Sequence, residues 1–299
     1  MTMKMKMAQV SDIPSPAPRY RYSTVAGIFS PSEPGVDGKS FDYVKENLGL
    51  RFASWTDFTE EVKRLNSNAP PGTLYKVLFL GRHGEGWHNV AERKYGRDEW
   101  NRYWARQEGD AEGSWVDARL TETGLKQAST AANFWKEQMT KGLPAPDSYY
   151  TSPLSRCLQT CHGTFGNLQL PSDRPFKPVV KELLRETLGR HACDRRSSMT
   201  ELRSFIATFA RPDPFVFEPG FSEVDALWKP EPREMDEDTQ ARQRIVLDEI
   251  FNRDKGQFIS ITSHSGAVRA MLEVVGHRLF RLGQGSVMAV LVKAEQIEA

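Results

Sequence analysis

The sequence predicts an α/β fold, a three-layer α/β/α sandwich with a mostly parallel central sheet and an irregular or helical cap. Short apolar runs such as Val77–Leu80 alternate along the chain with longer stretches whose apolar residues follow helical spacing. The short runs are apolar throughout, which is typical of strands covered on both faces. Strands that alternate with helices indicate parallel pairing and right-handed crossovers.

Length and charge narrow the class of protein. The 299 residues suit one large domain or two small ones, and we expect a single α/β domain over residues 23–299. Forty Lys and Arg residues against thirty-nine Asp and Glu residues give a net charge of +1, which argues against a nucleic-acid or membrane-surface binder.

The sequence lacks the patterns of a membrane span and of a secretory signal peptide, while the function of the N-terminal tail stays open. No apolar run approaches the length of a transmembrane helix, and Met1–Met7 lacks the core of a signal peptide. We therefore expect an intracellular protein, cytoplasmic or also nuclear, with neither nucleic acid nor membrane as a partner. The oligomeric state stays open.

The N-terminal region is expected to contribute little to the core. Residues 1–22 are rich in Pro, Ser, Lys and Met and predict a mobile tail. Residues 25–30 suit a short edge segment. A helix is predicted over 55–66, because four apolar residues there share one face: Trp55, Phe58, Val62 and Leu65. The prolines and glycine of 68–72 end it.

The first strand leads directly into a polar turn. Val77–Leu80 is followed by Gly81-Arg82-His83-Gly84, and ligands of open α/β sheets collect at the carboxyl ends of strands. An insertion at about 91–117 flanks this turn. We favour a helix that packs its aromatic residues on the core: Trp100, Tyr103, Trp104 and Trp115.

The middle of the chain repeats the strand–helix pattern. Thr121 can cap a helix that runs to about Met139, and Ser148–Thr151 suits a second strand. Ser152 as N-cap and Pro153 as the first helical residue predict another helix to about Phe165.

That helix carries Arg156 in its first turn, and residues 178–181 suit a third strand leading to Glu186. The following insertion, at about 190–235, is rich in Arg, Phe and Pro and predicts the cap. The cap could close over a substrate. Its phenylalanines suggest that the substrate carries an apolar or aromatic group next to the phosphate, and they are Phe205, Phe209, Phe215, Phe217 and Phe221.

The C-terminal part adds two more strands. A helix is predicted over 236–252 and a strand over 257–262, which ends in Ser263-His264-Ser265-Gly266. The helix after this turn is stopped by Gly276. Residues 287–292 form the final predicted strand.

Three strand-to-helix junctions bring polar groups of one kind to the same edge of the sheet. The first contributes Arg82 and Asn89, the second Arg156 and the third His264. Two arginines, an amide and helix N-terminal N–H groups suit a dianion such as phosphate.

His83 lies among these positively charged groups and could act as the nucleophile. Nearby cations lower the pKa of an imidazole and keep it neutral, so that one ring nitrogen can attack phosphorus. The leaving alkoxide needs a proton from a carboxylic acid, for which Glu186 is the candidate.

The three cysteines do not form a disulfide framework. Cys157, Cys161 and His162 could hold zinc, but their spacing is not that of a zinc finger or ribbon. We expect free thiols, buried or half-buried.

Five motifs in this order resemble the histidine phosphatase (phosphoglycerate mutase-like) superfamily. They are Leu80–Glu85 with Asn89, Asp117–Gly124, Ser152–Arg156 through Thr160, Leu184–Glu186 with Gly189, and Ser263–Gly266. The resemblance spans about residues 74–292.

The resemblance implies a phosphohistidine at His83 and an acid, then base, role for Glu186. It also implies a set of residues that bind the phosphoryl group: Arg82, Asn89, Arg156, His264 and Ser265. No metal or other cofactor is expected.

Arg195 and Arg196 form a second candidate group. They could clamp a second anionic group of the substrate, or belong to a charged surface loop. They do not match the longer spacing at which phosphoglycerate mutases place an arginine pair after the acid, which favours hydrolysis over mutase activity.

We therefore expect a metal-independent phosphomonoesterase that acts through a phosphohistidine on a small phosphorylated molecule. Two alternatives remain, a phosphomutase of the same fold and a non-catalytic protein that binds a phosphate ligand.

Overall fold

The structure is a computed structural model that describes residues 19–209 and 215–297. Seven strands in these ranges form one sheet in the order β1-β9-β2-β8-β5-β6-β7, and β3 and β4 form a separate hairpin. The strands are β1 Arg19–Thr24, β2 Thr73–Arg82, β3 Gly109–Asp110, β4 Gly113–Ser114, β5 Ser148–Thr151, β6 Val179–Val180, β7 Val216–Phe217, β8 Phe258–Ser263 and β9 Val287–Ile297.

Helices cover both faces of this sheet. In the described ranges they are α1 Trp55–Ser67, α2 Trp87–Tyr95, α3 Arg97–Arg102, α4 Glu122–Thr140, α5 Ser155–Phe165, α6 Met199–Ile206, α7 Asp236–Arg253 and α8 Ser265–Val274. Successive residues of a strand point to opposite faces. Val77 and Phe79 pack with α1, α4 and α5, whereas Leu78 and Leu80 pack with α7 and α8. The predicted three-layer sandwich is confirmed.

The sheet is mostly parallel, as predicted. β2 pairs in parallel with β8, β8 with β5, β5 with β6 and β6 with β7. β9 is the exception, because it runs antiparallel to both β2 and β1. None of the described helices has the length and apolar content that crossing a bilayer requires.

The N-terminal expectations need two corrections. Residues 19–22 of the expected tail belong to β1, where Arg19 pairs with Ile297 and Thr24 with Val292. This strand, and not residues 25–30, is the edge strand. Residues 1–18 lie outside the described ranges.

The start of α5 also differs from its prediction. The helix begins at Ser155 with Leu154 as its N-cap residue, two positions later than Ser152 predicts. The reason is that the Ser152 hydroxyl serves two other groups. It accepts from the backbone N–H of Leu154 (3.3 Å) and contacts Nε2 of His264 (2.8 Å).

Both insertions are more structured than expected. Residues 91–117 form the end of α2, α3 and the β3–β4 hairpin, and their tryptophans do not pack on the main core. Trp100 and Trp115 instead form a separate apolar cluster with Ala192 and Cys193 of the second insertion. That second insertion contains α6 and also β7, which extends the sheet at its edge.

Two glycines let the turn after β2 approach α4 closely. A Cβ on Gly84 would lie 2.5 Å from the carbonyl oxygen of Gly124, and a Cβ on Gly124 would overlap the carbonyl oxygen of Glu85. Thr121 caps α4 beside this contact by accepting from the backbone N–H of Gly124 (3.1 Å). The backbone of the His83 turn is therefore held against the start of a long helix.

We predict that Gly124→Ala destabilises the protein although Ala favours helices. Helix propensity gives back about 1 kcal/mol, whereas a backbone clash of this kind costs on the order of 3 kcal/mol. Urea denaturation measures the difference. Gly81→Ala is the matched control, because the nearest atom to its Cβ lies at 3.7 Å. Equal stability of the two variants would contradict the close approach.

Candidate active site

A cavity of about 500 Å³ opens where the carboxyl ends of the parallel strands meet. Arg82 ends β2 and His83 follows it, Arg156 lies in the first turn of α5 after β5, and Glu186 follows β6. All four side chains line the cavity. The sheet thus brings together residues that are separated by up to about a hundred positions in the chain.

The ring of His83 has a defined tautomer. Its Nδ1 lies 2.7 Å from the carbonyl oxygen of Gly84. Because a carbonyl only accepts, Nδ1 carries the hydrogen and Nε2 keeps its lone pair. Burial, followed by the charges of Arg156 and Arg82, holds the pKa of His83 well below 6.5. His83 is therefore a neutral, oriented imidazole, suited to nucleophilic attack.

Two arginines beside His83 have unused donors. Arg156 is fully buried and donates from Nη1 to the carbonyl of Cys193 (2.7 Å) and from Nη2 to Asp194 (3.0 Å). Arg82 donates from Nη1 to the carbonyl of Leu282 (3.0 Å). The Nε atoms of both arginines are buried and have no hydrogen-bond partner among the described residues. Buried N–H groups without acceptors are uncommon and costly, so these two suit an anion.

The position of Arg156 is fixed by Asp117, for which the sequence suggested no individual role. The carboxylate of Asp117 accepts from the backbone N–H and the hydroxyl of Ser155, both at 2.8 Å. It therefore caps α5 one residue before Arg156. Thr160 adds a link, since its hydroxyl accepts from the N–H of Gly84 (3.0 Å) and donates to the carbonyl of Arg156 (2.7 Å).

Glu186 is held as a carboxylate by backbone donors. Its oxygens accept from the N–H of Gly266 (3.0 Å) and of Thr187 (2.9 Å). Burial acts to raise the pKa of Glu186, but these hydrogen bonds and the charges of Arg156 and Arg233 outweigh it and lower the pKa. A Cβ at position 266 would overlap the Glu186 carboxylate, so a larger residue there would displace this side chain from its backbone donors.

The last junction also contributes Ser265 and His264. The hydroxyl of Ser265 lines the cavity and lies 3.3 Å from Glu186 Oε2. His264 is fully buried below the cavity, its ring centroid 5.1 Å from that of His83. Burial, then Arg156 and His83, lowers the pKa of His264 well below 6.5. The ring of His264 is therefore neutral.

Asn89 caps a helix and also lines the cavity. Its Oδ1 accepts from the N–H of Gly86 (3.0 Å) at the start of α2, which is a helix cap, and the side chain also lines the cavity. His88 is buried and lines the cavity as well, whereas Trp87 is 54% exposed outside it.

The predicted clamp of Arg195 and Arg196 does not line this cavity. Arg196 is buried and donates to Glu182 and to the carbonyls of Ser222 and Val224. Arg195 pairs with Glu108 at 2.6 Å on the surface. Arg196 instead holds segments of the cap together, and Glu182 already neutralises its charge.

Ten cavity residues were not predicted as site residues, and they include the following five. Three are cations at the mouth, Arg97, Arg190 and Arg233, and two are the partners His191 and Asp194. These residues come from the two insertions, where neither motif spacing nor apolar periodicity indicates which way a side chain points. The predicted apolar neighbour is also corrected, because none of the cap phenylalanines lines this cavity.

One group of side chains has the donor types of a metal site. Ligand atoms of His191, Cys193 and Asp194 lie within 4.8 Å of one another. However, Asp194 already pairs with Arg156 at 3.0 Å and with Arg233 at 3.7 Å, and burial raises the pKa of the Cys193 thiol. Two cations and a protonated thiol disfavour a metal ion here. Cys157 and Cys161 are buried free thiols, as expected.

Sequence comparison places the protein in a family. The family model "Histidine phosphatase superfamily (branch 1)" matches residues 78–290, and the chain belongs to this superfamily. A relative from Arthroderma benhamiae called "Probable phosphoglycerate mutase" is 47% identical over 293 residues, covering 93% of this chain and 86% of the relative. "Phosphomutase-like protein 3" of Candida albicans is 35% identical, covering 92% and 81%.

Among solved structures, the ecdysone phosphate phosphatase of Bombix mori in complex with tungstate has a TM-score of 0.44 and 17% identity. The match covers 72% of this chain and 88% of that chain.

Stability should fall steeply in mild acid. The pKa values of His83, His88, His264 and His277 are lowered, chiefly by burial, and that of His191 is lowered to about 3. Below pH 6.5 the unfolded chain binds protons that the folded chain does not. Each such histidine lowers the free energy of unfolding by about 1.4 kcal/mol per pH unit. Burial raises the pKa of Asp194, which opposes this with one proton.

Urea denaturation at a series of pH values measures the slope. His191→Asn should reduce it by about one proton. A free energy of unfolding that stays constant from pH 6.5 to about 5 would contradict the neutral histidines.

Proposed function

We propose that this protein is a metal-independent phosphomonoesterase that hydrolyses a small phosphorylated molecule through a phosphohistidine on His83. One observation carries the proposal: two buried guanidinium Nε donors, which have no acceptor in the part of the chain that the structure describes, lie beside a neutral imidazole whose Nε2 keeps its lone pair. Donors fixed in advance around a nucleophile stabilise the charge that develops on phosphoryl oxygens. Membership in the histidine phosphatase superfamily supports the same chemistry.

In the first step, Nε2 of His83 attacks phosphorus and the bond from phosphorus to the ester oxygen breaks. The leaving alkoxide takes a proton from Glu186. Although the pKa of Glu186 is lowered in the unliganded protein, a bound phosphate group adds negative charge beside it and raises its pKa. Substrate binding therefore favours the protonated acid that the step needs.

In the second step, the Glu186 carboxylate removes a proton from water, which attacks the phosphohistidine. Inorganic phosphate leaves and His83 regains its lone pair. Arg82 and Arg156 contact the phosphoryl oxygens in both steps, and no step calls for a metal ion.

A phosphomutase is the second candidate, favoured by the 47% identical relative called "Probable phosphoglycerate mutase". The two activities differ in products, since a mutase returns a positional isomer and a phosphatase returns inorganic phosphate. A non-catalytic phosphate-binding protein is the third, and the presence of His83 and Glu186 in reactive positions argues against it.

We predict that His83→Ala abolishes hydrolysis of p-nitrophenyl phosphate measured in EDTA. Loss of a nucleophile lowers kcat on the order of a thousandfold or more. The wild type quenched during turnover should carry acid-labile, alkali-stable phosphate, and the variant should carry none. His277→Gln is the control, because His277 does not line the cavity. Full activity in His83→Ala would refute the proposal.

We predict that Gly266→Ala acts through Glu186. The added methyl group displaces the carboxylate, so kcat should fall about as much as in Glu186→Gln. The double variant should then be no worse than Glu186→Gln alone, because the two changes remove one function. Circular dichroism checks that all three variants are folded. Additive losses would show that Gly266 matters for another reason.

A further inference from the structure

We propose that His88 is a further phosphoryl-binding residue, whose Nε2–H donates a hydrogen bond to an oxygen of the phosphoryl group during its transfer to His83. The five motifs that predicted the site do not include His88. This inference rests on the phosphomonoesterase proposal and adds one residue to the groups that stabilise its transition state.

His88 lies at the start of α2, directly beside the nucleophile. Its side chain is only 8% exposed and lines the cavity. The centroid of its ring is 5.3 Å from that of His83, close to the 5.1 Å that separates His83 from His264. The nucleophile therefore has two histidine neighbours at similar distance, and the family resemblance accounts only for His264.

The two ring nitrogens of His88 have different surroundings. Neither has a hydrogen-bond partner among the described residues, but only Nδ1 is buried, so Nε2 is the nitrogen that reaches the cavity. Burial, followed by the charge of Arg156, holds the pKa of His88 well below 6.5, so the ring is neutral and carries one hydrogen. Buried N–H groups without an acceptor are rarer in folded proteins than acceptors without a donor. The hydrogen therefore belongs on Nε2, which presents a donor to the cavity.

The backbone at the start of α2 fixes the direction of this donor. A Cβ on Gly86 would lie 2.8 Å from both Cε1 and Nδ1 of His88, so the ring packs directly on the glycine. The N–H of Gly86 donates to Oδ1 of Asn89 (3.0 Å). The N–H of Trp87 donates to the carbonyl of Arg119 (3.1 Å), which holds the turn against the segment before α4. A donor that is oriented before the substrate binds needs no rearrangement as charge develops in the transition state.

The neighbours of His88 indicate that its acceptor is a phosphoryl oxygen. Arg82 and Arg156 each present a buried Nε donor without an acceptor among the described residues, and the charges of both arginines act on His88. Three donors around one nucleophile match the three equatorial oxygens of a phosphoryl group in transfer. A third cation would lower the basicity of His83 further. A neutral N–H instead adds a hydrogen bond to the oxyanion and spares the nucleophile.

The test compares substitutions of His88 that remove or keep the donor. Leu fills a similar space without an N–H, whereas the amide nitrogen of Gln matches the position of Nε2. We expect His88→Leu to lower kcat for p-nitrophenyl phosphate about a hundredfold with a smaller change in KM, because the donor acts most strongly in the transition state. His88→Gln should recover kcat to within about tenfold of the wild type. If His88→Leu does not fold, His88→Asn replaces it, since its amide matches Nδ1 and not Nε2.

Anion binding provides a readout that needs no turnover. Inorganic phosphate binding, measured by isothermal titration calorimetry in EDTA, should weaken about tenfold in His88→Leu and recover in His88→Gln. Inhibition by vanadate, which adopts the five-coordinate geometry of the transition state, should change in the same order. His277→Leu is the matched control, because His277 is a buried histidine that does not line the cavity. Urea denaturation reports whether each variant is folded.

The outcomes separate this inference from the proposed function. Wild-type kcat in folded His88→Leu would overturn the inference. Equal losses in His88→Leu and His88→Gln would also overturn it, because the ring would then only fill space. In both cases hydrolysis by the wild type still supports the phosphatase proposal. Absence of wild-type turnover with every phosphate monoester tried would refute the proposed function, and phosphate binding by the variants would then decide the role of His88.

Discussion

The buried ion pair between Arg156 and Asp194 connects the two parts from which the site is built. Arg156 comes from the sheet and its helices, and Asp194 comes from the second insertion. A guanidinium with 1% exposure needs a counter-charge, since leaving it unpaired costs several kcal/mol, about 3–5. The arginine at the end of the sheet therefore depends on a residue that lies in the irregular stretch between β6 and α6.

Two other buried arginines extend this dependence. Arg185 pairs with Asp225 at 2.6 Å, and Arg242 pairs with Glu234 at 2.6 Å. Arg242 also donates to the carbonyl of Glu186 (3.0 Å), so it fixes the backbone of the acid itself. The cap thus supplies a carboxylate to each of these three buried arginines, and Arg185 also pairs with Glu182 outside the cap (2.9 Å).

Much of the fold followed from local patterns. Runs such as Val77–Leu80 and helical faces such as that of α1 depend on burial periodicity, which the sequence displays directly. The antiparallel course of β9 does not, because a continuous apolar strand has the same pattern in either direction. The strand β1 was missed because its buried tyrosines alternate with arginines next to a polar, proline-rich segment. The start of α5 was misplaced because the Ser152 hydroxyl is engaged by His264, a contact made by residues 112 positions apart.

The candidate site was also predicted in part, where residues follow strands, and missed where they lie in insertions. His83, Arg156 and Glu186 were found because each follows a strand, and strand ends converge by topology. Arg195 and Arg196 were misplaced, and Arg190 and Arg233 were missed, since all four lie in an insertion without periodicity. Their directions depend on turns such as the one at Gly189 and on which carboxylate each guanidinium meets.

The unsatisfied Nε groups of Arg82 and Arg156 also connect the chemistry of the site to folding. Each buried donor without an acceptor costs the folded state about 1–3 kcal/mol, which an oxyanion between them would remove. A ligand that binds only the folded state stabilises it in proportion to the logarithm of its concentration. Inorganic phosphate, the product of the proposed hydrolysis, would then act as both a competitor for the site and a stabiliser of the fold. The lifetime of this protein in a cell would follow the phosphate supply as well as the temperature.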